Sequence, residues 1–167
     1  MNGAGPRGSV PLWRRLALGV ACAVVVLDQL SKRWALQHLP PGLPQEALPG
    51  LLNLQLVSNT GAAFSLFTGG SRVLGLVSLV VSTALLLWIL GQPLQGRWES
   101  LGFGLLLGGA LGNGLDRWRL GAVVDFLAFV PIQFPVFNLA DVAINLAVLC
   151  FVVHFSRRRG PGEQGHG

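Results

Sequence analysis

Four segments, at about 16–36, 72–91, 99–117 and 137–156, are apolar over nearly their whole length. Each approaches the roughly 20 helical residues that cross the approximately 30 Å hydrocarbon core of a bilayer. A chain patterned this way is expected to be an all-α polytopic membrane protein with four transmembrane helices. The composition agrees: 51% of residues are hydrophobic and only 11% are charged, with a mean hydropathy of +0.59, a balance typical of membrane proteins. The first segment follows Arg14 and Arg15 as the apolar run of a signal peptide would. No small-residue cleavage site ends it, so a retained helix is expected.

A net charge of +5 and a pI near 11 would suit a nucleic-acid binder. The basic residues, however, sit at segment ends and termini rather than in a stripe, and no nucleic-acid partner is expected. They bear instead on orientation. With the N- and C-termini cytoplasmic, Arg7, Arg14, Arg15, Arg97, Arg157, Arg158 and Arg159 lie inside and Lys32, Arg33, Arg72, Arg117 and Arg119 outside, seven against five. Of the outer group, Lys32, Arg33 and Arg117 adjoin aspartates and so have a second reason for their position. Trp13, Trp88 and Trp98 then fall near the inner boundary and Trp34 and Trp118 near the outer, where amphipathic rings are favoured. Cys22 and Cys150 lie in apolar segments without a CxxC or His-rich context and read as packing residues.

The chain reads as one membrane domain, residues 1–167, with loose Gly-rich tails at 1–11 and 160–167. Pro40, Pro41, Pro44 and Pro49 exclude helix from the first connection. Leu52, Leu54 and Leu56 then alternate with Asn53 and Gln55, a strand pattern, and Ala63–Phe67 after the Asn59-Thr60-Gly61 turn is the expected partner. A small extracytoplasmic β-sheet over about 52–67 follows. The second segment reads as scaffold. In the third, Gly104, Gly108 and Gly112 recur every four residues and present a smooth face for close helix packing. The short connection 92–98 makes the second and third segments antiparallel neighbours. Residues 118–136, broken by Pro131 and Pro135, are too short to cross again and are expected as an interfacial outer helix or loop.

The four aspartates are Asp28, Asp116, Asp125 and Asp141. At about 1.5 Å per helical residue, Asp28 lies roughly 20 Å from Arg15, Asp116 about 25 Å from Glu99 and Asp141 about 24 Å from Arg157. Three helices thus place a carboxylate at one level near the outer edge of the hydrocarbon, and Asp125 can reach it. Ionisable residues at that depth are costly unless paired or hydrated and usually mark function. Asp28 and Lys32, spaced i,i+4, can meet on one helix face, and Asp116 comes with Arg117 and with Asn113 one turn earlier. These two aspartates read as framework or substrate contacts. Asp125 and Asp141 have no cation within four residues. Asn138 can cap the start of the fourth helix, whose dipole favours Asp141. If Asp125 folds against that turn, repulsion leaves the two carboxyls sharing a proton, as aspartyl peptidase chemistry requires.

Other chemistries compete. Ser31 and Lys32 project about 100° apart on a helix, which disfavours a serine–lysine pair. There is no HExxH, and His38, His154 and His166 are dispersed, which disfavours a zinc site, and the expectation is of no cofactor. An aspartate cluster can also bind Mg²⁺ or carry protons in a transporter, and these readings stay open on the residues alone.

Five blocks in order, Asp28-Gln29-Leu30-Ser31-Lys32, Asn59-Thr60-Gly61-Ala62-Ala63-Phe64, Gly108 to Arg117, Val123-Val124-Asp125-Phe126 and Phe137-Asn138-Leu139-Ala140-Asp141, together resemble the lipoprotein signal peptidases, the type II signal peptidases of bacteria. The resemblance covers about residues 12–156. It implies a catalytic pair, Asp125 and Asp141, with Asp28, Lys32, Asn59, Gly61, Asn113, Asp116, Arg117, Asn138 and Ala140 lining and supporting the site. It also implies a prolipoprotein substrate carrying a diacylglyceryl-modified cysteine, cut on the N-terminal side of that cysteine. The expected setting is the bacterial inner membrane, in contact with its lipids, with the active site at the outer face and the protein a monomer. The short, proline-containing stretch between Asp125 and Asp141 and the Arg- and Gly-containing N-terminal extension depart from the family pattern.

Overall fold

The computed structural model describes residues 11–61 and 70–158. Four helices dominate, α1 (Leu12–His38), α2 (Gly70–Gly91), α3 (Arg97–Leu120) and α4 (Leu139–Arg158). Three strands, β1 (Gln45–Leu48), β2 (Leu52–Asn59) and β3 (Val123–Phe129), form one antiparallel sheet in the order β1-β2-β3. By length and composition, α2 and α4 qualify as membrane spans.

α1 and α3 fall short of that measure for a reason visible in their packing. α1 turns Asp28 and Lys32 inward, fully buried, while Val26, Leu27, Leu30 and Trp34 stand exposed on its other faces. α3 is the hub against which α1, α2 and α4 all pack, and glycine keeps its mean hydropathy low. A Cβ on Gly104 would sit 2.5 Å from the Ala17 carbonyl oxygen, one on Gly108 2.6 Å from Val24 Cβ, and one on Gly112 2.6 Å from Asp28 Oδ2. The four-residue stripe is therefore where α1 lies down on α3. Gly109, on the neighbouring face, takes the backbone of α4, where a Cβ would meet the Ala140 carbonyl oxygen at 2.6 Å.

The strand of the first connection is present as β2. β2 pairs with β1 on one side and with β3 on the other, in a register that sets Val57 opposite Asp125 and Asn59 opposite Val123. The expected partner, 63–67, lies outside the described residues, as do most of both tails. The segment 118–136, read as an interfacial helix or loop, instead holds the last turn of α3 and β3. Gly121, left-handed at φ 76°, ends α3 so that the chain turns directly into that strand. The sheet is seated on α1 through Phe126, Ala35 and Leu39, flanked by Leu54, Leu56 and Leu127.

Candidate active site

The start of α4 is built as a polar junction. Asn138 Oδ1 accepts from the Asp141 amide at 3.0 Å, and Asp141 Oδ2 accepts from the Asn138 amide at 3.2 Å. This reciprocal arrangement is a capping box with aspartate in the third helical position. The Ala140 amide, another free donor of that first turn, is taken by Asp28 Oδ1 of α1 at 3.0 Å.

Lys32 lies at the centre of the buried network. Its Nζ reaches Asp28 Oδ2 at 2.8 Å, Asp116 Oδ2 at 2.9 Å and Asn113 Oδ1 at 2.9 Å, so all three ammonium protons have an acceptor. The i,i+4 pairing within α1 is joined by a partner from α3 that the sequence reading had assigned elsewhere. Asp116 pairs with Lys32, not with adjacent Arg117, because consecutive helical side chains diverge by about 100°. Arg117 Nη1 turns instead to the Asn113 carbonyl, 3.3 Å away. Asp116 Oδ2 also accepts from the Val124 amide at 3.1 Å, fixing the point where β3 leaves α3.

Gln29 had no assigned role. Its Nε2 lies within 3.3 Å of Asp116 Oδ1, Asp28 Oδ2 and the Gly112 carbonyl, joining the two framework carboxylates by a second route. The available signal was its position between Asp28 and Lys32 in an otherwise apolar segment. Ser31 Oγ bonds the Asp28 carbonyl at 2.8 Å, a local helix contact with no link to Lys32.

Asp125, on β3, is held differently. Its Oδ1 accepts from Asn138 Nδ2 at 2.6 Å and its Oδ2 from Asn59 Nδ2 at 2.8 Å. Asn59 is itself fixed at the end of β2, where its Oδ1 accepts from the Gly61 amide at 2.8 Å. Gly61 has φ 82°, a conformation that favours glycine. Asp141 Oδ1 accepts from Asn113 Nδ2 at 2.8 Å, and Asn113 Oδ1 accepts from Asn138 Nδ2 at 3.0 Å as well as from Lys32. Asn113 and Asn138 therefore link the lysine-centred cluster to the other two aspartates.

Asp125 and Asp141 both line a cavity of about 570 Å³ whose remaining walls include Asn59, Phe134, Phe137, Asn145 and Leu149. Asn59 is among the residues expected at the site; Phe134 and Phe137 carry no such signal, because they belong to a loop without periodicity. Burial pushes the Asp125 carboxyl above the usual carboxylate range. The Asn59 and Asn138 amides pull it back, the charge of Asp141 pushes it further up, and Lys32 acts in the opposite sense.

The family described as Signal peptidase (SPase) II matches residues 20–157. The chain is 59% identical over 140 residues to the lipoprotein signal peptidase of Synechococcus sp., covering 83% of this chain and 93% of that protein. It is 54% identical over 158 residues to the lipoprotein signal peptidase of Parasynechococcus marenigrum, covering 95% and 99% of the two chains. A solved bacterial membrane enzyme superposes with TM-score 0.77 at 28% identity, over 83% of this chain and 91% of that one.

Proposed function

We propose, from the premise that this chain belongs to the signal peptidase (SPase) II family, that it is an intramembrane aspartyl endopeptidase. Its substrates would be bacterial prolipoproteins, cut on the N-terminal side of the diacylglyceryl-modified cysteine to release the signal peptide. The observation that carries this reading is the unequal treatment of the four aspartates. Lys32 neutralises Asp28 and Asp116, while Asp125 and Asp141 are held by amides and open on one cavity.

The chemistry follows from that placement. Two carboxyls that line one partly desolvated site can share a single proton. The ionised member takes a proton from water as it attacks the scissile carbonyl. The protonated member donates to the carbonyl oxygen, and the proton gained from water passes to the leaving amine as the tetrahedral intermediate collapses. The amides of Asn59, Asn113 and Asn138 hold three of the four carboxylate oxygens by one hydrogen bond each, which fixes both groups without neutralising them. The Asn138 backbone amide holds the fourth.

A lipidated cysteine keeps its acyl chains in the bilayer, so a site for it belongs at the membrane boundary. Consistent with this, the cavity wall continues down α4 through Leu146 and Leu149, both exposed on its outer side. The apolar outer face and buried charges of α1 suit a span, which supports a four-span topology in the bacterial inner membrane. In this topology both termini are cytoplasmic and the site and sheet lie at the outer face. A monomer contains every residue invoked.

The test is cleavage of a diacylglyceryl-modified prolipoprotein peptide in detergent, with the products weighed. Cleavage is expected at the modified cysteine, with activity surviving chelation and disappearing in Asp125→Asn and Asp141→Asn. Substantial cleavage by either variant would remove the dyad assignment, and loss of activity on chelation would favour a metal-bound aspartate cluster.

A further inference from the structure

A second cavity, of about 370 Å³, opens between the first turns of α2 and the last turn of α3, lined by Arg72, Gly75, Leu76, Arg117, Trp118 and Gly121. Two arginines share it, and among the described residues neither forms an ion pair; both ion pairs belong to Lys32. Arg117 Nη1 makes one long bond, to the Asn113 carbonyl at 3.3 Å, and its Nε is buried without a partner. Asp116, Asp125 and Asp141 act on Arg117 through space, without an ion pair. The segment 62–69, which leads into α2, contains no acidic residue. Among the described residues, then, two arginines line this cavity without an ion pair, and a pair of guanidinium groups matches a phosphate.

What lies beneath decides what carries that phosphate. About one turn deeper, the same α2/α3 interface holds an apolar groove of about 130 Å³, lined by Leu79, Ser82, Leu111, Leu115 and again Trp118. Trp118 joins the two spaces, pinned by its Nε1 donating to the Gly75 carbonyl at 3.1 Å, with its ring largely exposed. The sequence of features along the groove, cationic pocket, indole, then apolar trough open to the outside of the bundle, is the sequence of a phospholipid from headgroup to tail.

We propose that the α2/α3 groove is a binding site for an anionic phospholipid, its phosphate between Arg72 and Arg117 and an acyl chain in the trough below Trp118. The inference needs residence in a membrane; it does not depend on the aspartyl chemistry.

Native mass spectrometry of the full chain in detergent tests it, by titration with phosphatidylglycerol, phosphatidylcholine and glycerol 3-phosphate. Phosphatidylglycerol is expected to bind about tenfold or more tightly than phosphatidylcholine, and Arg72→Glu to remove that preference. Leu79→Trp, filling the trough from its exposed side, is expected to weaken the lipid and leave glycerol 3-phosphate unchanged. An unchanged melting temperature shows that each variant folds, and Arg72→Gln replaces Arg72→Glu should the charge reversal unfold it. Equal binding of the two lipids, or an arginine variant that retains the preference, overturns the site. Glycerol 3-phosphate that displaces the lipid at equal concentration, with Leu79→Trp without effect, makes this a soluble-phosphate pocket and overturns the lipid assignment.

Discussion

Asp28 and Asp116 share an ammonium, whereas Asp125 and Asp141 share an asparagine. The first pair meets Lys32 at 2.8 and 2.9 Å inside the bundle, with Gln29 as a second bridge. The second pair meets at Asn138, whose side chain holds Asp125 and whose backbone amide holds Asp141, beside an open cavity. A buried carboxylate bonded to a lysine that it shares with another is tied into the frame. One held only by amides keeps its freedom to exchange a proton. Asn113, which accepts from Lys32 and donates to Asp141, joins frame to site.

The largest effect on stability is expected on the frame side. Lys32→Met leaves two buried carboxylates without a counter-charge and should cost about 3–5 kcal/mol, read as a lowered melting temperature in detergent. A small loss would mean that the ion cluster is better hydrated than its burial suggests. Gly112→Ala should follow, at about 1–3 kcal/mol, because its Cβ would press on an Asp28 already tied to Lys32 and the Ala140 amide.

Asn138→Ala tests the link between the halves. Loss of the cap should cost about 1–2 kcal/mol, and activity should fall well beyond what that destabilisation explains, since Asp125 loses a donor. Smallest is a shift in pH dependence on substituting Asn59. Its hydrogen bond favours ionised Asp125, so Asn59→Ala raises that carboxyl further, and the pair keeps its shared proton to higher pH. The alkaline limb of the kcat/KM profile should therefore move upward; a downward move would contradict the role given to the Asn59 hydrogen bond.

The same comparison separates what the chain makes legible from what it hides. The Asp28–Lys32 contact and the packing of the glycine stripe follow from helix periodicity, and the meeting of Asp28, Asp116 and Asp141 in one network agrees with the levels given by helix rise. The pairing of Asp116 with Lys32 was hidden because the nearer cation in sequence, Arg117, points elsewhere. β3 was hidden because Val123–Phe129 is a short run, apolar but for Asp125 and without alternation, whose partner β2 lies more than sixty residues earlier, so neither periodicity nor spacing reveals the pair. That strand delivers Asp125 to the site, which is why its meeting with the turn at Asn138 was conditional until the sheet was in view.

The most direct measurement is a matched set of four variants, Asp28→Asn, Asp116→Asn, Asp125→Asn and Asp141→Asn, each assayed for cleavage of a diacylglyceryl-modified peptide and for melting temperature. Asp125→Asn and Asp141→Asn should lose about 10²–10⁴-fold or more in kcat while melting close to the parent protein. Asp28→Asn and Asp116→Asn should melt clearly lower and retain measurable turnover below their melting temperatures. If Asp28→Asn or Asp116→Asn proved stable but inactive, or Asp125→Asn or Asp141→Asn remained active, the division of the four carboxylates into frame and cutting pair would be wrong.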